Sequence, residues 1–193
     1  MKKLFANSLA AALVLMALAA FTMDPHAVNP FKVAESSKMV IKGTSSVHDW
    51  ETEVTVIHGT GSFSVKDGKI EGANNVQITI PVKSIKSGKS GMDNKTYEAL
   101  KASQAPNIHF ALTHIRSSDN GKIVADGNLT IAGTTKPVTI TGKYELLGSQ
   151  IVISGTHELN MKNFNIDPPT AMLGAIKAGA DISIDYTLVF LSE

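Results

Sequence analysis

From residue 38 onward, apolar and polar positions take turns along the chain. Val76, Ile78, Ile80 and Val82 alternate with Asn75, Gln77, Thr79 and Pro81, and Ile108, Phe110 and Leu112 with His109, Ala111 and Thr113. Ile151 and Ile153 lead on to Leu159 and Met161, and Ile182, Ile184, Tyr186, Leu188 and Phe190 close the chain. A period of two places one strand face on an apolar interior and the other in water. Turn signals separate the runs: Lys66-Asp67-Gly68-Lys69, Ser118-Asp119-Asn120-Gly121, Ala132-Gly133-Thr134 and Leu147-Gly148-Ser149. The pattern predicts eight or nine strands, at about 38–43, 51–58, 61–65, 69–82, 107–116, 121–131, 136–147, 150–161 and 180–191. Strands joined by short hairpins form an antiparallel meander, and closure into a barrel disposes of both its edges. The expected fold class is all-β. An eight-stranded barrel holds either packed side chains or one small ligand, and that choice decides the function.

Two segments break the alternation. Residues 92–102 read as a short helix, with Asp93 placed to cap it and Tyr97 and Leu100 on one face. Residues 164–179, which include Pro168-Pro169-Thr170-Ala171-Met172-Leu173-Gly174, read as an apolar loop or helical turn. An apolar connection is expected to cover something. Both segments are candidate lids for a barrel mouth.

The N-terminus follows another plan. Lys2-Lys3, an apolar run from Leu9 to Phe21 and the small-x-small triplet Ala17-Leu18-Ala19 have the layout of a secretory signal peptide. Residues 1–20 are read as that leader and 21–193 as one domain, exported to the periplasm and soluble. The thirteen apolar residues are short for a membrane span of about 20. Losing Lys2 and Lys3 from 18 basic groups leaves 16 against 17 acidic ones, so no basic excess points to nucleic acid. The chain has no cysteine, which removes disulfides, thiol catalysis, thiolate metal sites and a lipidated N-terminal Cys together.

Catalytic and metal chemistry find little support. There are six histidines, without an HxH or HExxH spacing. His26 falls in the N-terminal tail, and His109 and His114, five apart on one strand, are expected on opposite faces. His114 shares a face with Ile108 and Phe110, and His157 with Ile151 and Ile153; both are read as hydrogen-bonded strand histidines. His48 and Asp49 are adjacent, so on a strand they point apart and cannot act as base and orienter for Ser45 or Ser46. There is no Gly-x-Ser-x-Gly elbow, and the carboxylates lie scattered. Gly127, Gly133 and Gly142 have no following helix and are read as turns or barrel bends. Lys83, Lys86 and Lys89 are read as a solvated loop. The expectation is a non-enzyme without metal or cofactor.

An ordered set of short stretches carries a resemblance. It comprises Ser46-Val47-His48-Asp49-Trp50, Gly61-Ser62-Phe63, Val82-Lys83-Ser84-Ile85-Lys86-Ser87-Gly88, Ala99-Leu100-Lys101, Pro106-Asn107-Ile108-His109-Phe110, and Gly127-Asn128-Leu129-Thr130-Ile131-Ala132-Gly133-Thr134-Thr135-Lys136-Pro137-Val138. Together these resemble the YceI-like family of exported, lipocalin-like, polyisoprenoid-binding proteins, over about residues 31–191. The resemblance implies an eight-stranded lipocalin-like barrel with one or two short helices near its mouth. It further implies an apolar cavity for a long amphiphile such as an isoprenoid quinone, a polyprenyl lipid or a fatty-acid derivative, often in a dimer. The chain departs from the family pattern at Met161-Lys162-Asn163-Phe164, which lacks an Arg before an Asp-Phe pair, and at Pro168-Pro169-Thr170.

On this reading the candidate ligand-binding side chains are Trp50, Phe63, Tyr97, Leu100, Phe110, Phe164, Met172, Leu173 and Ile176. His48, Asp49, Lys95 and Asn165 are the candidate polar groups at the mouth. The alternative is a non-catalytic stress or interaction module with a filled barrel, acting through a dimer face.

Overall fold

The structure is a computed structural model and describes residues 29–193. The leader read at residues 1–20 and His26 lie outside the described residues. Twelve strand segments follow in order: β1 (Asn29–Val33), β2 (Lys38–Ser45), β3 (Trp50–Val54), β4 (His58–Lys66), β5 (Lys69–Pro81), β6 (Ile85–Lys86), β7 (Asn107–Asp119), β8 (Lys122–Ile131), β9 (Thr134–Leu147), β10 (Gln150–Asn160), β11 (Thr170–Ala171) and β12 (Ile176–Ser192). Helix α1 (Ser90–Ala99) separates β6 from β7.

Register turns these segments into eight runs. Both β1 and β2 pair antiparallel with β12, through Phe31↔Ser192 and Lys38↔Thr187, so they are one bent run. Likewise β3 continues into β4, since Val40 faces Glu53 and Phe31 faces Gly61. A 3-10 turn, Val82–Ser84, splits β5 from β6, with the Ser84 hydroxyl donating to the Pro81 carbonyl at 2.8 Å. The runs then neighbour one another in chain order, and β12 closes the ring by pairing with β10 on one side and β1 and β2 on the other. The all-β antiparallel barrel expected from the alternation is the fold observed, with the eight strands that the family resemblance implies.

Hairpins at 66–69, 119–122 and 147–150 gather at one end. In two of them both central residues take positive φ, Asp67 (49°) with Gly68 (75°) and Asn120 (51°) with Gly121 (71°), as tight hairpins of right-handed twist require. That end is plugged. Phe31 and Phe63 meet edge to face at 5.4 Å, and Phe63 and Phe190 at 5.1 Å. Ile70, Ile123, Tyr144 and Ile151 are buried around them. The opposite end carries α1, the 46–49 loop and the 161–175 connection.

Three expectations need correction. β1 lies ahead of the first strand that the alternation predicts, although Phe31 and Val33 belong to the core. Asp93 does not cap α1: the preceding residue is Lys89, without a side-chain cap, and Asp93 instead accepts from the Ser87 backbone N–H (2.7 Å) and hydroxyl (2.6 Å). Those bonds hold its carboxyl below the usual carboxylate range. Finally, His114 turns outward. A bulge follows Leu112, which faces Gly127, so that His114 faces Asp126 and Ile115 takes the inward position. His109 and His114 therefore both sit on the outer surface, at Thr79 Oγ1 (3.1 Å) and Asp126 Oδ2 (3.1 Å).

Candidate functional site

The inward faces of the eight runs do not fill the lumen. They enclose a cavity of about 490 Å³, within the range of roughly 300–1,000 Å³ typical of small-molecule sites. Its floor is Phe63, Val76, Ile115, Ile123 and Phe190, and aliphatic side chains of every run form the wall. The mouth lies between α1, which contributes Met92, Lys95, Thr96 and Ala99, and the β11 segment, which contributes Pro169, Thr170 and Ala171. The rim is hydrogen-bonded together. Ser46 N–H donates to the Lys177 carbonyl at 2.9 Å, and Lys177 N–H to Ser46 Oγ at 3.1 Å.

Hollowness has a local cause. Three aromatic side chains that line the cavity each cover a glycine of a neighbouring strand: Trp50 covers Gly43, Phe110 covers Gly127, and Tyr186 covers Gly155 and, two strands away, Gly142. A methyl on Gly155 would stand 2.6 Å from Tyr186 Oη. Rings seated in these gaps stay against the wall, in the way aromatic residues cover glycine in designed sheets. The Trp50 indole N–H donates to the Thr44 carbonyl at 2.8 Å, and Tyr186 Oη to the Thr141 carbonyl at 3.3 Å. Burial pushes the Tyr186 phenol up to about 12, so it is a neutral part of the wall.

Of the apolar candidates, Trp50, Phe63, Leu100, Phe110 and Ile176 line the cavity. Tyr97 does not. Its hydroxyl reaches the Lys83 and Ile85 carbonyls (both 3.1 Å) and accepts from Lys86 Nζ (2.7 Å), tying α1 to β6 outside the lumen. Phe164 is buried in a second cluster with Leu129, Ile131, Leu159, Met161 and Ile166, under the 3-10 turn Met161–Phe164. Met172 and Leu173 are 75% and 109% exposed at the tip of the β11–β12 hairpin, facing water rather than the cavity. Among the polar candidates, His48 and Lys95 reach the mouth, and Lys95 pairs with Glu98 at 2.7 Å. Asp49 lies instead in a shallow outer groove with Lys42 and Glu51. Asn165 bonds Thr134 Oγ1 at 3.2 Å beside the barrel.

The lining also holds residues outside the candidate set, among them the polar Thr52 and His157. The signal was available in both cases, because Thr52 alternates with Trp50 and Val54, and His157 with Ile153 and Leu159. Burial pushes the His157 imidazole below its usual range. Among the described residues no group of three His, Asp or Glu side chains is arranged to hold a metal ion. Nor is any helix there long and apolar enough to cross a membrane.

The sequence profile of the YceI-like domain matches residues 23–190. A UPF0312 protein of Pseudomonas putida is 27% identical, the match covering 79% of this chain and 86% of that protein. A UPF0312 protein of Vibrio cholerae is 26% identical, covering 75% of each. Among solved structures, Burkholderia cenocepacia BcnA superposes with a TM-score of 0.66 at 19% identity, covering 79% of this chain and 95% of that one. A polyisoprenoid binding domain from Saccharophagus degradans gives 0.64 at 10% identity, covering 86% and 99%. The YCEI protein of Campylobacter jejuni gives 0.60 at 19%, covering 74% and 84%.

Proposed function

The chain belongs to the YceI-like family, and on that premise we propose that it is an exported, periplasmic, non-catalytic protein that sequesters a long amphiphile in its barrel. The observation that carries this reading is the apolar cavity of about 490 Å³, closed at one end by aromatic rings and open at the other. Each CH₂ taken out of water contributes about 0.8 kcal/mol. A tail of about a dozen carbons thus supplies roughly 10 kcal/mol gross, enough to offset much of the cost of association. The likeness in fold to a polyisoprenoid binding domain supports an isoprenoid ligand, a fatty-acid derivative is the second candidate, and the proposed role invokes no cofactor.

The test is organic extraction of the purified protein followed by mass spectrometry. A stoichiometric long-chain amphiphile is expected, with loss of it in Leu100→Trp, which narrows the mouth side of the lumen. Protein that carries no lipid, and takes up none when offered a polyprenyl alcohol or palmitate, would refute the proposal. A module with a filled barrel is the competing reading, and the hollow lumen weighs against it.

A further inference from the structure

The cavity is almost wholly hydrocarbon, which makes its few polar side chains informative. Tyr186 is committed to the Thr141 carbonyl. Ser45 Oγ donates to the His48 carbonyl, and Lys95 is paired with Glu98. Below the rim residues His48, Lys89, Thr96 and Thr170, Thr52 (3% exposed) and half-buried His157 remain: both line the cavity, and among the described residues neither side chain makes a hydrogen bond within the protein, while neither polar end is sealed off from the lumen. A polar side chain that faces an apolar lumen without a partner is costly once a hydrocarbon chain displaces water from it.

Their placement is related. His157 faces Ile184, Ile184 faces Ile41, and Ile41 faces Thr52, so the two stand in one cross-strand row over four adjacent runs. Each is only two or three residues in from the mouth end of its strand, since β3 begins at Trp50 and β10 ends at Asn160. Farther in lie Ile153, Leu188, Phe190 and Phe63. The lumen is thus a hydrocarbon well beneath a throat that offers hydrogen bonds.

Resting on the lipid-binding reading, we infer that Thr52 and His157 recognise a neutral carbonyl or hydroxyl group on the ligand, held just inside the mouth while the tail fills the well. A neutral imidazole gives one donor and one acceptor, and a threonine hydroxyl gives both, so the pair suits an uncharged group of either kind. It does not suit a carboxylate or phosphate. The throat supplies no fixed positive charge, and bringing an anion into an apolar site costs several kcal/mol. The lysines of the lining, Lys89 and Lys95, belong to the rim around α1.

The experiment uses the processed chain, delipidated, with displacement of a fluorescent apolar probe by three ligands: hexadecane, 2-hexadecanone and palmitate. The ketone is expected to bind about three- to tenfold tighter than the alkane, as for one or two neutral hydrogen bonds. His157→Leu combined with Thr52→Val should erase that preference while alkane affinity holds or rises. Thr52→Val alone, close in shape, should erase part of it and guards against misfolding of the double variant. A ketone preference that survives the double variant, or palmitate binding tighter than the ketone, overturns the inference. Failure of all three ligands to displace the probe overturns the lipid-binding reading instead.

Discussion

The ring of Phe110 occupies, with Cε2 and Cζ, the space in which a Cβ on Gly127 would stand. The two belong to adjacent strands, β7 and β8, with Phe110 facing Leu129 and Gly127 facing Leu112. This diagonal contact removes a large side chain from the lumen without moving it from the inward face. Gly127→Ala should therefore push the ring inward. The expected outcome is a destabilisation of about 1–3 kcal/mol, as for other overpacked sites, with a larger proportional loss of apolar-probe affinity. Phe110→Leu placed in the Gly127→Ala background should restore binding, as read by probe titration.

The floor and the hairpin tip should respond in opposite ways. Phe63 is 2% exposed and touches both Phe31 and Phe190. Phe63→Ala should cost about 3–5 kcal/mol in urea unfolding. Leu173 is fully exposed at the β11–β12 tip. Leu173→Ser should change stability by less than about 0.5 kcal/mol and leave probe affinity unaltered.

Acid should destabilise the barrel partly through His157. Its folded value lies below the ordinary 6.5, so as pH falls past 6.5 the unfolded chain takes up this proton first and gains stability relative to the barrel. Between pH 7.5 and 5.5 the melting temperature of delipidated protein should drop less in His157→Leu than in the parent. His48, His58, His109 and His114 are common to both proteins, which isolates the contribution of this one ring. An equal drop would show that burial does not hold the imidazole neutral.

Asp126 gives the converse case at lower pH. It accepts from Arg116 Nε (2.6 Å) and Thr139 Oγ1 (2.7 Å), with His114 at 3.1 Å. The Arg116 bond is the largest influence holding its carboxyl below the ordinary 3.8. Its contribution is present above that value and fades as pH falls through the depressed one. Asp126→Asn should melt at a lower temperature at pH 7, and the gap should close below about pH 3.8.

Alternation made the fold legible, because one wet and one dry face is a local property that neighbouring residues record. Pairing at a distance left weaker traces. β1 is five residues containing Pro30, and its place depends on partners at Gly61 and Ser192 that no local pattern announces. Parity put His157 on the apolar face but misplaced His114, since the bulge after Leu112 reverses the positions that follow until a second one, between Ile115 and Ser117, reverses them back. The same limit governs the site. Gly127 and Gly142, read as bends, are clearances for rings on other strands, whereas Gly133 does sit in a turn with φ of 80°. Met172 and Leu173 are apolar enough to line a pocket, yet their backbones take positive φ (48° and 54°) at a hairpin tip that lifts them away from it.

The three rings at the floor, Phe31, Phe63 and Phe190, make the barrel a blind tube. A chain held there cannot be threaded through; the end that entered last must leave first. Loading and unloading are then mirror images in time, and any acceptor meets the same end of the ligand that the donor released last. A cargo longer than the tube keeps that end outside throughout, available for handover before the tail has moved.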